Sequence, residues 1–255
     1  MRNQLLAVLA CFTLILPALA AEPKPDFAVK TKAADGRVVL DAAIKAIPAL
    51  AADALAEGKK WVEQNARDAE HERKDDPKMF RNGPWTYERK YQTRSDVGGR
   101  YVSILRIDYT NTGGAHPNHD IDTILWDKTA GKRISVRPFF TETADGGPTL
   151  QTIAAAIVNS LKAEKKARGA DAADTEWIKS IVPNLLKIGA VTLAPSTEAG
   201  KSSGLSFHYP PYAVGPYAEG SYVAFVPWEQ LKTYLTPEGT AIFGGARPKD
   251  DAPKP

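Results

Sequence analysis

Cysteine is almost missing from this chain: 255 residues contain one, Cys11, beside two methionines and four histidines. A single thiol forms no internal disulfide, so a disulfide-stapled scaffold is excluded. Neither sign of charge dominates, with 33 basic and 30 acidic residues. Together with the lack of any basic tract interleaved with aromatics, this argues against nucleic acid or an anionic membrane surface as the main partner. The catalytic signatures are missing too. There is no Gly-x-Ser-x-Gly elbow and no Gly-rich phosphate loop leading to Lys-Ser/Thr. Thirty acidic residues make some carboxylate pair inevitable, so their number says nothing about glycoside cleavage. The expectation is a protein that is not an enzyme and carries no cofactor.

The N-terminus reads as a secretory signal. Arg2 gives the positive start, Leu5 to Leu16 the apolar stretch, and Ala18-Leu19-Ala20 the small-x-small cleavage site. The stretch is short for a bilayer span and Pro17 ends it. Val8-Leu9-Ala10-Cys11 resembles a lipobox, but the apolar run continues past Cys11. Cleavage after Ala20 removes Cys11 and leaves roughly 235 residues, enough for one large core or two small ones. A periplasmic or secreted location is expected, with no membrane span in the mature chain.

Downstream, helix and strand patterns fall in separate blocks. Phe27–Lys32 and Arg37–Leu40 suggest a hairpin about Asp35-Gly36. Asp41 is placed to cap a helix, and Pro48 to Lys74 is rich in helix formers. Ile44, Ile47, Ala51, Leu55 and Val62 lie on one helical stripe. His71 falls on its charged face.

From Trp85 to Val136 the sequence reads as four strands with short links, an antiparallel meander. In the first, Trp85, Tyr87 and Tyr91 point one way and Glu88, Lys90, Gln92 and Arg94 the other. The next strand presents Tyr101, Leu105, Ile107 and Tyr109 on one face. Thr149–Ala167 is a second helix with Ile153, Ile157 and Leu161 on its face and a solvated Lys-rich end; 174–182 is a third, shorter one. Strands at 191–193, 204–209 and 222–226 precede a helix opened by Pro227, and a disordered tail is expected from Gly244. The fold class is α+β, with mainly antiparallel sheet packed by a long N-terminal helix and several shorter ones.

Two stretches hold the candidate site. Gly113-Gly114-Ala115-His116-Pro117-Asn118-His119-Asp120 combines permissive glycines with a histidine restricted by the following proline. A metal site from His116, His119, Asp120 and Asp122 is the sharper reading. On a strand, however, His119 faces away from Asp120 and Asp122. Pro210 to Tyr217 is stiff and aromatic, so Tyr209, Tyr212 and Tyr217, with His116 and Asn118, are the candidate ligand contacts. The competing reading has these tyrosines closing the core beneath a turn. Ser206 and His208 share a strand face, which in a sheet is ordinary.

The run Tyr109-Thr110-Asn111-Thr112-Gly113-Gly114-Ala115-His116-Pro117-Asn118 resembles the hallmark of a bacterial envelope family, domain of unknown function 3298. Trp126-Asp127, Gly131-Lys132-Arg133-Ile134 and Pro138-Phe139-Phe140 agree with it. Phe207 to Gly220 and Val226 to Leu231 resemble the family's second signature, and residues 27–112 are similar to its usual partner, domain 4163. With the signal at 1–20 and the tail at 244–255 read from the residues, the resemblance implies an N-terminal domain at 21–112 and a C-terminal domain at 113–243.

Relatives include ectodomains of lysozyme-sensing anti-sigma factors and domains attached to a peptidoglycan deacetylase. This chain shows no transmembrane segment after the signal, no sigma-binding segment and no deacetylase domain. The implied function is therefore a non-catalytic, envelope-facing binding protein that takes a lysozyme-like protein or a peptidoglycan fragment. The alternative is a metal-assisted peptidoglycan hydrolase or deacetylase accessory using His116 and His119.

Overall fold

The computed structural model describes residues 24–170 and 176–251. The expected signal peptide at 1–20, Cys11 included, lies outside the described residues. Two sheets carry the fold. The larger takes six strands in chain order: β1 (Phe27–Lys30), β2 (Ala34–Leu40), β3 (Trp85–Val97), β4 (Tyr101–Asn111), β5 (Asn118–Asp127) and β6 (Lys132–Ile134). β2 and β3 pair in parallel, and the other neighbours are antiparallel. A parallel pair needs a long crossover, supplied here by α1 (Ala42–Lys45) and α2 (Pro48–Asp75). The smaller antiparallel sheet is β7 (Ala190–Leu193), β8 (Gly204–Tyr209) and β9 (Tyr222–Pro227). With α3 (Pro148–Ala167), α4 (Trp228–Leu231) and α5 (Pro237–Ile242), this is the expected α+β fold, and β3 to β6 form the expected meander.

The long helix lies across one face of the large sheet. Asp41 caps α1, its carboxylate accepting from the Ile44 amide at 2.8 Å. The buried stripe of α2 runs through Leu50, Ala54, Gly58, Val62, Ala66 and Ala69, rotated from the expected one; Ala51 and Leu55 lie at its flank. The reason is close approach. A Cβ at Gly58 would stand 2.7 Å from Val38 Cγ1, so small residues, not the large aliphatics, mark the contact line.

The N-terminal hairpin also differs from expectation. Asp35 and Gly36 belong to β2, opposite Lys30 and Val29. The turn is made by Thr31, whose hydroxyl accepts from the amides of Ala33 (3.1 Å) and Ala34 (2.9 Å). Gly36 is needed because Val62 of α2 occupies the space a Cβ would take.

Polar residues go inside where they meet a partner. Glu88, expected on a wet face, is buried and ion-paired with Arg37 and Lys90. On the face toward α2, Arg89 and Asp108 are buried and form a two-bond pair at 2.6 and 2.5 Å. Arg89 also lies over the Trp61 ring at 4.5 Å. Burial raises the Glu57 carboxyl, but Arg133 and Arg106 outweigh it and hold the group below its ordinary value.

The second core lies on the other side. β7 is pinned to the large sheet by the Leu193 amide donating to Ser103 Oγ at 2.9 Å and Ser95 donating to the Leu193 carbonyl at 2.7 Å. Phe139, Leu150, Ile153, Ile157, Leu161, Phe207 and Tyr222 fill this core. The boundary expected at 112/113 falls in the β4–β5 hairpin, inside a sheet that runs on to residue 134. Of the helix expected at 174–182, the described part is a single 3-10 turn, Trp177–Ser180.

The expectation of a disordered tail is corrected for residues 244–251. Trp228 donates to the Gly245 carbonyl at 3.1 Å, and Asp251 is gripped by Arg94 (2.5 Å) and Arg247 (2.8 Å). Composition suggests disorder there because partners this distant in sequence leave no local trace.

β6 pairs only with the last three residues of β5, so residues 118–124 of β5 have an outer edge without a paired strand. The Ile121 and Thr123 amides instead donate to the side chains of Asp120 (2.9 Å) and Asp122 (2.8 Å).

Candidate functional site

The two stretches singled out in the sequence meet in space. The β4–β5 hairpin carries His116 at its tip, and the loop after β8 carries Tyr212 and Tyr217 across to it. His116 stacks on Tyr217 with ring centroids 3.8 Å apart, and Tyr212 closes the group at 5.6 Å from Tyr217 and 6.1 Å from His116.

Hydrogen bonds fix this arrangement. Tyr217 donates its hydroxyl to the Pro117 carbonyl at 2.9 Å. His116 Nδ1 lies 3.0 Å from the same carbonyl, an acceptor only, which puts the ring proton on Nδ1. Nε2 is then the acceptor for the Tyr212 hydroxyl at 3.2 Å. Pro117 thus restricts His116 to extended backbone and also offers the carbonyl on which both rings converge.

The aromatic loop is built for display. The Ala213 amide donates to the Pro210 carbonyl at 3.1 Å, closing a turn with Pro211 and Tyr212 at its centre. Proline fits the first central position of a type II turn, and the second requires positive φ and favours glycine. Tyr212 sits there with φ +71°, the one non-glycine residue with positive φ among the described residues. It is 50% exposed, so burial does not hold it in that conformation. Val214, two residues on, plugs the loop into the core at 1% exposure.

The other sequence candidates separate. Tyr209 is no surface residue: all of β8 is buried, and its hydroxyl donates to the Ile188 carbonyl at 2.6 Å. That is the core-closing reading, true for one tyrosine of three. Asn118 is exposed and begins β5 opposite Thr110, outside the ring cluster. His119 packs edge-on against Tyr109 at 5.3 Å, its cross-strand partner. Asp120 and Asp122 each accept from the next amide of their own strand, and Asp122 also pairs with Arg106 at 2.9 Å. Among the described residues, no three His, Cys, Asp or Glu side chains are grouped to hold a metal ion.

Ser206 and His208 share the buried face of β8, but His208 Nε2 pairs with Thr192 Oγ1 at 2.9 Å and the Ser206 hydroxyl has no partner. Burial, followed by nearby Arg94, lowers the His208 pKa to about 4.

Sequence reasoning missed the charge beneath the aromatic loop. Lys165, placed on a solvated helix end, is 3% exposed and reaches Glu219 at 2.6 Å. The available signal was its spacing, since Lys165 continues the stripe of Ile153, Ile157 and Leu161. Separately, a groove of about 440 Å³ runs between β5 and residues 185–191, bordered by Leu186 at 90% exposure.

Residues 143–229 match a family model described as Protein of unknown function (DUF3298), so α3, the small sheet and the aromatic loop lie inside the match and the β4–β5 hairpin outside it. A solved DUF3298 family protein from Bacteroides fragilis NCTC 9343 is similar over 74% of this chain and 72% of that one, at 18% identity and TM-score 0.50. Another, from Pseudomonas aeruginosa PAO1, is similar at 19% identity and TM-score 0.46; the alignment covers 64% of this chain and 66% of that relative's length. No curated protein matches. Among the described residues no helix is long and apolar enough to cross a membrane.

Proposed function

We propose that this chain is a secreted or periplasmic, non-catalytic binding protein whose His116–Tyr212–Tyr217 surface recognises a cell-envelope ligand or an envelope-directed protein such as lysozyme. One observation carries the reading. Tyr212 is held half exposed in a backbone conformation that disfavours any side chain, and strain of this kind persists at contact sites where the surroundings over-determine it. The three rings are ordered before any partner arrives, so little entropy is lost on contact. Flat faces with polar tips suit a sugar ring and a protein surface alike. The resemblance to ectodomains of lysozyme-sensing anti-sigma factors, residues 27–112 included, favours the protein partner, and the signal-like N-terminus supports an envelope location.

Calorimetric titration of the chain with lysozyme, and in parallel with peptidoglycan fragments, tests this. The parent is expected to bind one of them. A folded Tyr212→Ala/Tyr217→Ala variant should bind it at least about 30-fold more weakly, as the loss of a contact hot spot of about 2 kcal/mol requires. Binding to neither at high micromolar concentration, or unchanged binding by the variant, overturns the proposal.

A further inference from the structure

The aromatic loop rests on a buried charge. α3 packs its inner face with Ile153, Ile157 and Leu161, and four residues later the stripe presents Lys165, not another aliphatic. Its ammonium lies 2.6 Å from Glu219 Oε2 and 4.9 Å from the centre of the Tyr222 ring. Tyr222 donates its hydroxyl to the same carboxylate oxygen at 2.5 Å. One turn further along the helix, Arg168 donates to the Glu219 carbonyl at 3.0 Å, lies over the Tyr222 ring and pairs with Glu164. The carboxylate and the backbone of Glu219 are therefore both held from α3.

Glu219 ends the one-turn 3-10 helix that Tyr217 begins. Gly215 lies directly over the ion pair: a Cβ there would collide with the Glu219 carboxylate and stand 2.9 Å from Lys165 Nζ. The segment from Val214 to Glu219 thus lies against Lys165, and Tyr217 within it stacks on His116.

A buried ion pair adds little to stability over a well-packed apolar pair; its better-attested use is to fix one arrangement among several. An aliphatic residue at 165 would continue the core stripe without selecting a position for the loop. A charge does select one, because only one placement of Glu219 compensates it. We propose that Lys165 is the positioning residue of the contact surface: through Glu219 it sets the loop so that Tyr217 stacks on His116 and Tyr212 stays in its positive-φ turn. This rests on the reading of the three rings as the contact surface, but its test does not need a ligand.

The test compares the parent with Lys165→Met, which keeps the chain length and removes the charge, and with Glu219→Gln. Ile157→Ala, a buried change on the same helix face, serves as the control for general destabilisation. Two readouts are taken without ligand. One is the upfield ring-current displacement of the His116 imidazole protons caused by the stacked Tyr217. The other is hydrogen exchange at the Ala213, Glu219 and Gly220 amides, which are bonded to the carbonyls of Pro210, Pro216 and Tyr217.

Expected in Lys165→Met is loss of the ring-current displacement and about tenfold or more faster exchange at the three amides, with β8 amides still protected. Ile157→Ala should melt earlier and keep the displacement. Glu219→Gln should reproduce Lys165→Met in part, and it decides the matter if Lys165→Met does not fold. The proposal is overturned if folded Lys165→Met or Glu219→Gln keeps the parent's displacement and exchange, or if Ile157→Ala loses them equally. Absence of any ligand for the parent would sink the contact-surface reading and leave these readouts intact.

Discussion

Between neutral pH and pH 4 this protein should lose stability through one buried histidine. His208 is 4% exposed and its pKa is lowered to about 4, first by burial and then by Arg94; Asp251 acts against these and Arg247 with them. The same ring in the unfolded chain titrates near 6.5. Inside that interval the unfolded state holds a proton that the folded state does not, so stability falls as pH falls from about 7 toward 4 and levels off below. With these two pKa values the linkage relation gives a loss of about 2 kcal/mol on going from pH 7 to pH 5. For a chain of this size that lowers the melting temperature by about 4–8 °C. The assay is urea unfolding at pH 7, 6 and 5, for the parent and for His208→Gln, whose amide can still meet Thr192 Oγ1. Carboxylates contribute to both profiles, so the difference between them isolates the histidine. Parallel profiles for parent and variant would refute the argument, and so would a parent that gains stability over the same interval.

Three further outcomes are expected from the packing. Asp108→Ala should cost about 3–5 kcal/mol in urea unfolding by leaving Arg89 buried and unpaired, whereas Arg89→Leu/Asp108→Leu should recover most of that loss. Gly58→Val should lower stability by about 1–3 kcal/mol in the same assay, because the new side chain meets Val38 where α2 lies close against the sheet. Tyr212→Gly should be more stable than Tyr212→Ala by about 1–2 kcal/mol, since only glycine accepts the positive φ without strain. Equal stability of the last two would show that the turn relaxes once the tyrosine ring is gone.

Legibility in the sequence tracks the range of interaction. The meander from β3 to β6 is plain because each link is short and each strand lies beside the next. The helix α2 is plain from composition, but its buried face is not: Ala54, Gly58, Ala66 and Ala69 line it because the sheet comes close, which hydrophobicity alone does not encode. The parallel pairing of β2 and β3 is hidden for a similar reason, since nothing local distinguishes a hairpin about Asp35-Gly36 from one turned by Thr31. Tyr212, Tyr217 and His116 are readable because proline and glycine announce constrained loops, although their meeting across about a hundred residues is not. Lys165 is misplaced by sequence reasoning because a lysine in a charged run reads as solvated. Only Glu219 and Tyr222, more than fifty residues away, give it partners. Arg89, Asp108 and Glu88 teach the same lesson within the sheet.

The unpaired stretch of β5 bears on how copies of this protein behave together. An edge whose amides and carbonyls point outward is a template on which a neighbouring molecule can lay its own strand. Here Asp120 and Asp122 fold back onto the amides of Ile121 and Thr123, so the donors that would recruit that neighbour are already occupied. Asp120 also sets a charge where the same strand of another copy would set its own, while Asp122 is paired with Arg106 at 2.9 Å. At high local concentration the molecules are kept from pairing along this edge by two side chains that occupy its amides, while residues 185–191 flank it across the groove.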